Sequence, residues 1–182
     1  MDADLSQVGS FGGASVKRIH KPVNDEGKTV AVGSYLVPKL TKAAEGKGIQ
    51  FVMETAATEL VVTDGKVTGV KAGETTYTGK AVVLATGGFA ANTEMVLQYK
   101  PDYEGFVCTN APGMTGDGIV MAQAIGADTV DMEQIQIHPT VSQETSALIT
   151  EGLRGDGAIL VNSEGKRFFD EVGTRDAVSA AE

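Results

Sequence analysis

The feature that most constrains this chain is Lys80–Phe89, KAVVLATGGF, a continuous apolar run that stops abruptly at Thr86-Gly87-Gly88. An alternating run would bury one face of a strand, whereas an unbroken one reads as a strand covered on both faces, as in α/β folds. Where such a strand ends in Gly-Gly, the backbone can approach a cofactor closely.

The flanking segments supply further elements. Ser34–Lys47 has apolar residues at helical spacing, with Pro38 placed in the first turn and Gly46 and Gly48 ending the helix. Ile49–Met53, Glu59–Thr63, Val67–Ala72 and Thr75–Tyr77 are short β-rich runs separated by Asp64-Gly65 and Gly73, the pattern of a small antiparallel meander. Asn92 is placed to cap a short helix through about Gln98, and Lys100-Pro101-Asp102 marks a soft domain boundary. Pro112–Gly118, PGMTGDG, leads into a helix over Ile119–Ile125, whose N-terminus favours an anionic group. Asp131–Thr140 alternates so that Gln136 and His138 share one face of an extended segment. Met1–Asn24 shows no periodicity and reads as an extended loop with a basic cluster at Lys17, Arg18, His20 and Lys21; Asp176–Glu182 begins a helix.

Composition narrows the function classes. The chain's 182 residues suffice for one generous domain or two small ones. A formal charge of −9 with scattered basic residues excludes a nucleic-acid interface. Cys108 is the single cysteine, so neither an intrachain disulfide nor a cysteine metal site is available. No apolar run reaches membrane-spanning length, and the opening residues lack a secretory pattern, which points to the cytoplasm. A periplasmic place is the alternative, should an export signal precede these residues.

The densest chemistry lies in Ile149–Asp176, ITEGLRGDGAILVNSEGKRFFDEVGTRD. Glu151 and Arg154 stand three apart. A β-hairpin built from Ala158–Val161, the turn Asn162–Gly165 and Phe168-Phe169 would return Arg175 beside them. Two guanidiniums bridged by one carboxylate can hold an anion or relay a proton. The same spacing also fits a surface ion-pair network at the mouth of a hairpin.

Several motifs agree in order and spacing with one family: FGGASVKRIHKP at 11–22, VVLATGGFAAN at 82–92, TGDG at 115–118, IQIHPT at 135–140, ITEGLRGDGAILVNSEGKRFFDE at 149–171 and TRDAVSAA at 174–181. In these pieces the chain resembles the flavoprotein subunit of the fumarate reductase and succinate dehydrogenase family, closest to its soluble, flavocytochrome c-like fumarate reductase branch. The resemblance implies part of an FAD-binding domain (strands, helix and small meander, residues 1–100) followed by an α+β capping domain (residues 101–182). It implies His138, Thr150 and Glu151 as substrate-binding residues for a small dicarboxylate, and Glu151, Arg154 and Arg175 as a proton path with Arg175 the final donor. Ala57, Thr86, Gly87 and Asp117 would face FAD, and no metal is implied. His20 lacks the surroundings of the family's covalent attachment site, so FAD is expected to be noncovalent.

Two family features have no counterpart here: the GxGxxG pyrophosphate fingerprint after an opening strand, and the carboxy-terminal substrate residues. The chain therefore reads as an internal fragment, expected to bind FAD weakly or not at all and to show no turnover alone. The electron donor would be a domain or subunit outside it. Related flavoenzymes acting on aspartate, urocanate or ketosteroids share much of this scaffold, and a non-catalytic ligand- or partner-binding role is a third reading.

Overall fold

Three of the four β-rich runs expected as a meander form one antiparallel sheet in the computed structural model, which describes residues 4–11 and 14–182. Its strands are β3 (Glu59–Thr63), β4 (Lys66–Ala72) and β5 (Thr75–Thr78), in the order β3-β4-β5. Asp64 at φ 51° and Gly65 at φ 73° make the first reversal, whose two left-handed residues suit a tight hairpin turn. A register shift between Val61 and Val62 bends the ladder. Leu60 and Ala72 are buried, and so is Met121 on helix α3 (Asp117–Ala124), which packs against β3.

The chain divides into two compact units, Val52–Ile135 and a second made of Met1–Phe51 with Gln136–Glu182. Neither division falls at residue 100, where the sequence marks a change of character.

In the first unit, helix α2 (Thr93–Tyr99) starts as expected: the Asn92 side chain accepts from the Met95 backbone N–H at 3.0 Å. Its Nδ2 also donates to the Thr115 carbonyl at 3.1 Å, so one residue caps a helix and ties it to the glycine-rich turn. A single 3₁₀ turn, Pro101–Tyr103, follows. Lys80–Phe89 is not a covered strand. No strand pairs with it among the described residues, and Val83 is 86% exposed. An unbroken apolar run predicts burial only where neighbouring strands and layers exist to provide it. Ile49–Met53 likewise forms no strand, and Phe51, Val52 and Met53 are exposed.

In the second unit, the expected N-terminal loop contains two short strands, β1 (Gln7–Gly9) and β2 (Ile19–Lys21), paired antiparallel with Val8 opposite His20. Three-residue strands are too short to leave a periodic signature. The Gly12-Gly13 pair of that segment lies outside the described residues. Helix α1 (Val32–Glu45) begins earlier than expected, which moves Pro38 from the first turn into the interior; lacking an N–H, Pro38 cannot bond the Ser34 carbonyl. Gly46 closes the helix as anticipated, yet Val37 and Leu40 are exposed.

The expected hairpin after Ala158 is a reversal without paired strands. Val161 and Arg167 form one isolated bridge, Asn162 N–H donates to the Lys166 carbonyl at 2.9 Å, and Gly165 takes φ 75°. The segment Asp131–Thr140 forms no strand either, and Asp131 breaks it at φ 57°. Helix α4 (Glu151–Gly155) is short, and helix α5 (Arg175–Ala181) buries Val178 completely. Among the described residues no helix is long and apolar enough to cross a membrane, and no cluster of acidic, histidine or cysteine side chains is arranged to hold a metal.

Asn92→Ala removes the cap and the cross-link together and is expected to destabilise the protein by about 1–2 kcal/mol. Asn92→Asp keeps the cap acceptor and should lose less. Denaturant midpoints for the two variants check this ordering; equal losses would mean the cap contributes nothing.

Candidate active site

Helix α4 opens at Thr150, whose side chain accepts from the Gly152 N–H at 3.2 Å, and this cap sets Glu151 and Arg154 one turn apart on the buried side. The helix can sit low because two of its positions lack a side chain. A Cβ on Gly155 would meet the Ser10 carbonyl, and Gly152 lies against Phe11. Glu151 is consequently 5% exposed and Arg154 4% exposed.

Arg175, the first residue of α5, reaches Glu151 with two parallel hydrogen bonds, Nε to Oε1 at 2.8 Å and Nη2 to Oε2 at 2.7 Å. Its Nη1 donates to Gln136 Oε1 at 2.6 Å. A guanidinium has five N–H groups, so one N–H on each Nη remains for another acceptor. Arg154 Nη2 lies 3.4 Å from Glu151 Oε1, an ion-pair distance, while Nη1 donates to the Glu171 carbonyl at 2.8 Å. Arg154 Nε and Nη2 have no hydrogen-bond partner. The expected Glu-Arg-Arg cluster is thus assembled within one compact unit, with one carboxylate between two guanidiniums and a net charge of +1.

Protonation follows from these contacts. The bidentate Arg175 bonds, outweighing burial, hold the Glu151 carboxyl below its ordinary value of 4.5. The same bonds raise Arg175 further against desolvation. His138 is lowered from 6.5, first by burial and then by the charge of Arg175, with Glu151 opposing. Its Nδ1 accepts from the Thr140 N–H at 3.3 Å, which assigns the neutral tautomer with Nε2–H free to donate. The Thr150 hydroxyl is exposed.

The proposed cofactor residues lie in the other unit. Gly116 N–H donates to the Gly88 carbonyl at 3.1 Å and Ala91 N–H to the Met114 carbonyl at 2.9 Å, stitching the Thr86-Gly87-Gly88 segment to the Thr115–Gly118 turn. Gly87 at φ 77° and Gly116 at φ 84° adopt backbone that L side chains rarely take. Beside the seam lies an open cleft of about 280 Å³ lined by Leu84, Thr86, Gly87, Gly118 and Ile119 among others. Bare glycine backbone and the apolar Leu84 and Ile119 fit a flat ring, while Thr86, Gln123 and Asp128 offer partners for the hydroxyls of a sugar, as a dinucleotide needs. Asp117 accepts from the Thr115 hydroxyl at 2.9 Å and occupies the first turn of α3. That carboxylate disfavours a phosphate at this N-terminus and suits a hydroxyl or N–H donor instead. Neither Asp117 nor the half-buried Ala57 lines the cleft.

Sequence reading missed Gln136 as a partner of Arg175, although its placement on the His138 face was the available signal. It also missed Glu171 and Arg167, whose ion pair at 2.9 Å lies behind Arg154 and has no periodic signature.

Glu151→Gln leaves a buried guanidinium uncompensated and is expected to cost about 3 kcal/mol at pH 7. Because the folded-state pKa of Glu151 is depressed, the wild-type advantage is fully present above 4.5 and is lost as pH falls through that lower folded value. Parallel unfolding curves from pH 7 to pH 2 should converge at the acid end; a constant gap would contradict the ionised assignment. Arg175→Gln should raise the NMR titration midpoint of His138, since the Arg175 charge lowers it. A midpoint that stays or falls would separate the two side chains.

A family profile described as an FAD binding domain matches residues 3–182. An NADH:fumarate oxidoreductase of Klebsiella pneumoniae (strain 342) is 46% identical over 182 residues, covering 97% of this chain and 19% of that protein. A urocanate reductase of Eggerthella lenta is 43% identical, covering 94% of this chain and 29% of that protein. Among solved structures, the open conformation of a flavocytochrome c3 fumarate reductase superposes with a TM-score of 0.76 at 39% identity, over 99% of this chain and 32% of that one. The chain spans a third or less of the length of each of these proteins. By the extent of the family match, the chain belongs to the FAD binding domain family of flavoproteins, in company with its fumarate reductases.

Proposed function

We propose that this chain supplies the proton-delivery side, and part of the FAD-binding surface, of an oxidoreductase that reduces fumarate to succinate. The observation that carries the reading is the bonding of Arg175: both Glu151 oxygens and Gln136 fix its guanidinium, yet one N–H on each Nη stays available. In this reading residues 1–100 contribute to an FAD-binding domain and residues 101–182 to a capping domain. The seam joining Gly88 to Gly116 means that cofactor contacts come from both sides of that boundary.

When bound noncovalently and in its reduced form, FAD would supply the hydride that one alkene carbon of fumarate must receive. The chain's own residues deal with the charge and the proton. His138 Nε2–H and the Thr150 hydroxyl donate to a substrate carboxylate. The cluster's net positive charge stabilises the negative charge that develops on the adjoining carbon. That carbon is strongly basic, so Arg175, although normally a poor acid, can give up a proton to it. Glu151 then passes a proton from Arg154 to the neutral Arg175, a far stronger base than a carboxylate. Thr86, Gly87, Ala57 and Asp117 serve the cofactor, Asp117 as an acceptor for a hydroxyl or N–H. The electron donor is a domain or subunit beyond these residues.

A second reading keeps this machinery and exchanges the substrate for urocanate, which the 43% identity to a urocanate reductase favours. In the full-length, FAD-loaded protein, fumarate turnover should exceed urocanate turnover, and Arg175→Gln should lower kcat for fumarate at least about 100-fold with the flavin spectrum unchanged. Retained fumarate turnover in that variant would remove Arg175 as the donor. Preferential urocanate turnover would establish the second reading.

A further inference from the structure

Arg154 is 4% exposed and stands at the far end of the Glu151 relay, yet its hydrogen bond goes elsewhere, from Nη1 to the Glu171 backbone carbonyl at 2.8 Å. Its 3.4 Å approach to Glu151 is an ion pair with no hydrogen bond to direct it. The orientation of this guanidinium therefore depends on where the Glu171 carbonyl is held. That carbonyl lies beyond the chain reversal, in a stretch without helix or strand.

What holds it is the Glu171 side chain. Although the residue is only 6% exposed, its carboxylate accepts two bonds from Arg167, Nε to Oε2 at 3.0 Å and Nη2 to Oε1 at 2.9 Å. The Arg167 backbone is itself fixed by its bridge to Val161 across the Asn162–Lys166 turn. A two-point bond between planar groups fixes direction as well as distance, which a lysine cannot reproduce.

We propose that Arg167 and Glu171 form a positioning clasp that fixes the Glu171 carbonyl and, through it, aims Arg154 at Glu151 for proton transfer. The proposal rests on the reading of Glu151, Arg154 and Arg175 as a proton path. A carbonyl suits the task because it orients a guanidinium without competing for its proton. The carboxylate within ion-pair distance of Arg154 is that of Glu151, so it is the acceptor a leaving proton meets.

The test uses the full-length, FAD-loaded protein and the variants Arg167→Leu and Arg167→Lys. The Arg167 side chain is 55% exposed, so its replacement leaves little buried volume empty. Arg167→Leu should lower kcat for fumarate about tenfold, with KM within twofold of wild type, an unchanged flavin spectrum and a larger solvent deuterium isotope effect on kcat. Arg167→Lys should recover only part of the loss. NMR of arginine-labelled protein should show the Arg154 side-chain protons exchanging with solvent at least tenfold faster in Arg167→Leu. Unchanged exchange overturns the clasp, and faster exchange with unchanged kcat overturns its role in proton delivery. A proportional change in kcat and KM with an altered flavin spectrum also overturns it, in favour of a general structural role. Should the wild-type protein fail to reduce fumarate, the proposed function falls, while the exchange experiment still decides the clasp.

Discussion

One buried carboxylate shared between two guanidiniums is the interaction on which the unit carrying α4 and α5 depends. Glu151 could not be ionised at 5% exposure without strong partners, and burying the Arg154 guanidinium at 4% exposure is far less costly with an anion beside it. Each charge is tolerable only because the others are present. The surrounding structure serves this arrangement: Thr150 starts the helix that carries Glu151, the small residues Gly152 and Gly155 let that helix approach Phe11 and Ser10, and α5 begins at Arg175. Ion pairs as buried as this stabilise little compared with an apolar replacement. Their presence therefore calls for a reason beyond folding stability, which the proposed proton path would supply.

In the other unit a different constraint governs, namely how closely backbone can approach backbone. A Cβ on Gly118 would collide with the Thr86 side chain, and one on Gly116 would collide with Met95 and Phe89. These glycines let the Thr86–Gly88 segment lie against the start of α3, and the cleft opens beside that seam. Asn92 belongs to the same arrangement, since it caps α2 with one end of its amide and holds Thr115 with the other. The backbone proposed to face the cofactor thus shares residues with the packed core, so a substitution here would affect both.

Local chemistry was readable in the sequence where it acts over a few residues. Asn92 as a cap, Asp64-Gly65 as a hairpin turn and Gly46 as a helix end depend on side-chain reach and on φ, and each is found where the residues placed it. The Glu151, Arg154 and Arg175 cluster was legible because a return of the chain between Arg154 and Arg175 was signalled by Asn162–Gly165, even though paired strands do not form around it. Lys80–Phe89 misled because hydrophobicity records a demand for burial and carries no information on which neighbour meets it. Gln136 and Glu171 were invisible as partners for another reason. Their bonds to Arg175 and Arg154 span 39 and 17 residues, and no spacing rule reaches so far.

The charge balance of the cluster also bears on how an acidic chain would favour a small dianion of the kind proposed above. The chain carries −9 overall, which alone would repel such a ligand. At physiological ionic strength, however, charges are screened beyond about 8 Å, so the exposed carboxylates elsewhere act weakly on a ligand already at the cluster. There, two guanidiniums face one carboxylate, Gln136 is neutral, and His138 is kept neutral by burial and by the charge of Arg175. One unit of positive charge remains, shared between Arg175 and the less closely paired Arg154. A second acidic partner for Arg175 in place of Gln136 would cancel it. An amide there holds the guanidinium equally well in geometry and leaves its charge for the ligand, which is the physical reason a glutamine, rather than a glutamate, suits that position.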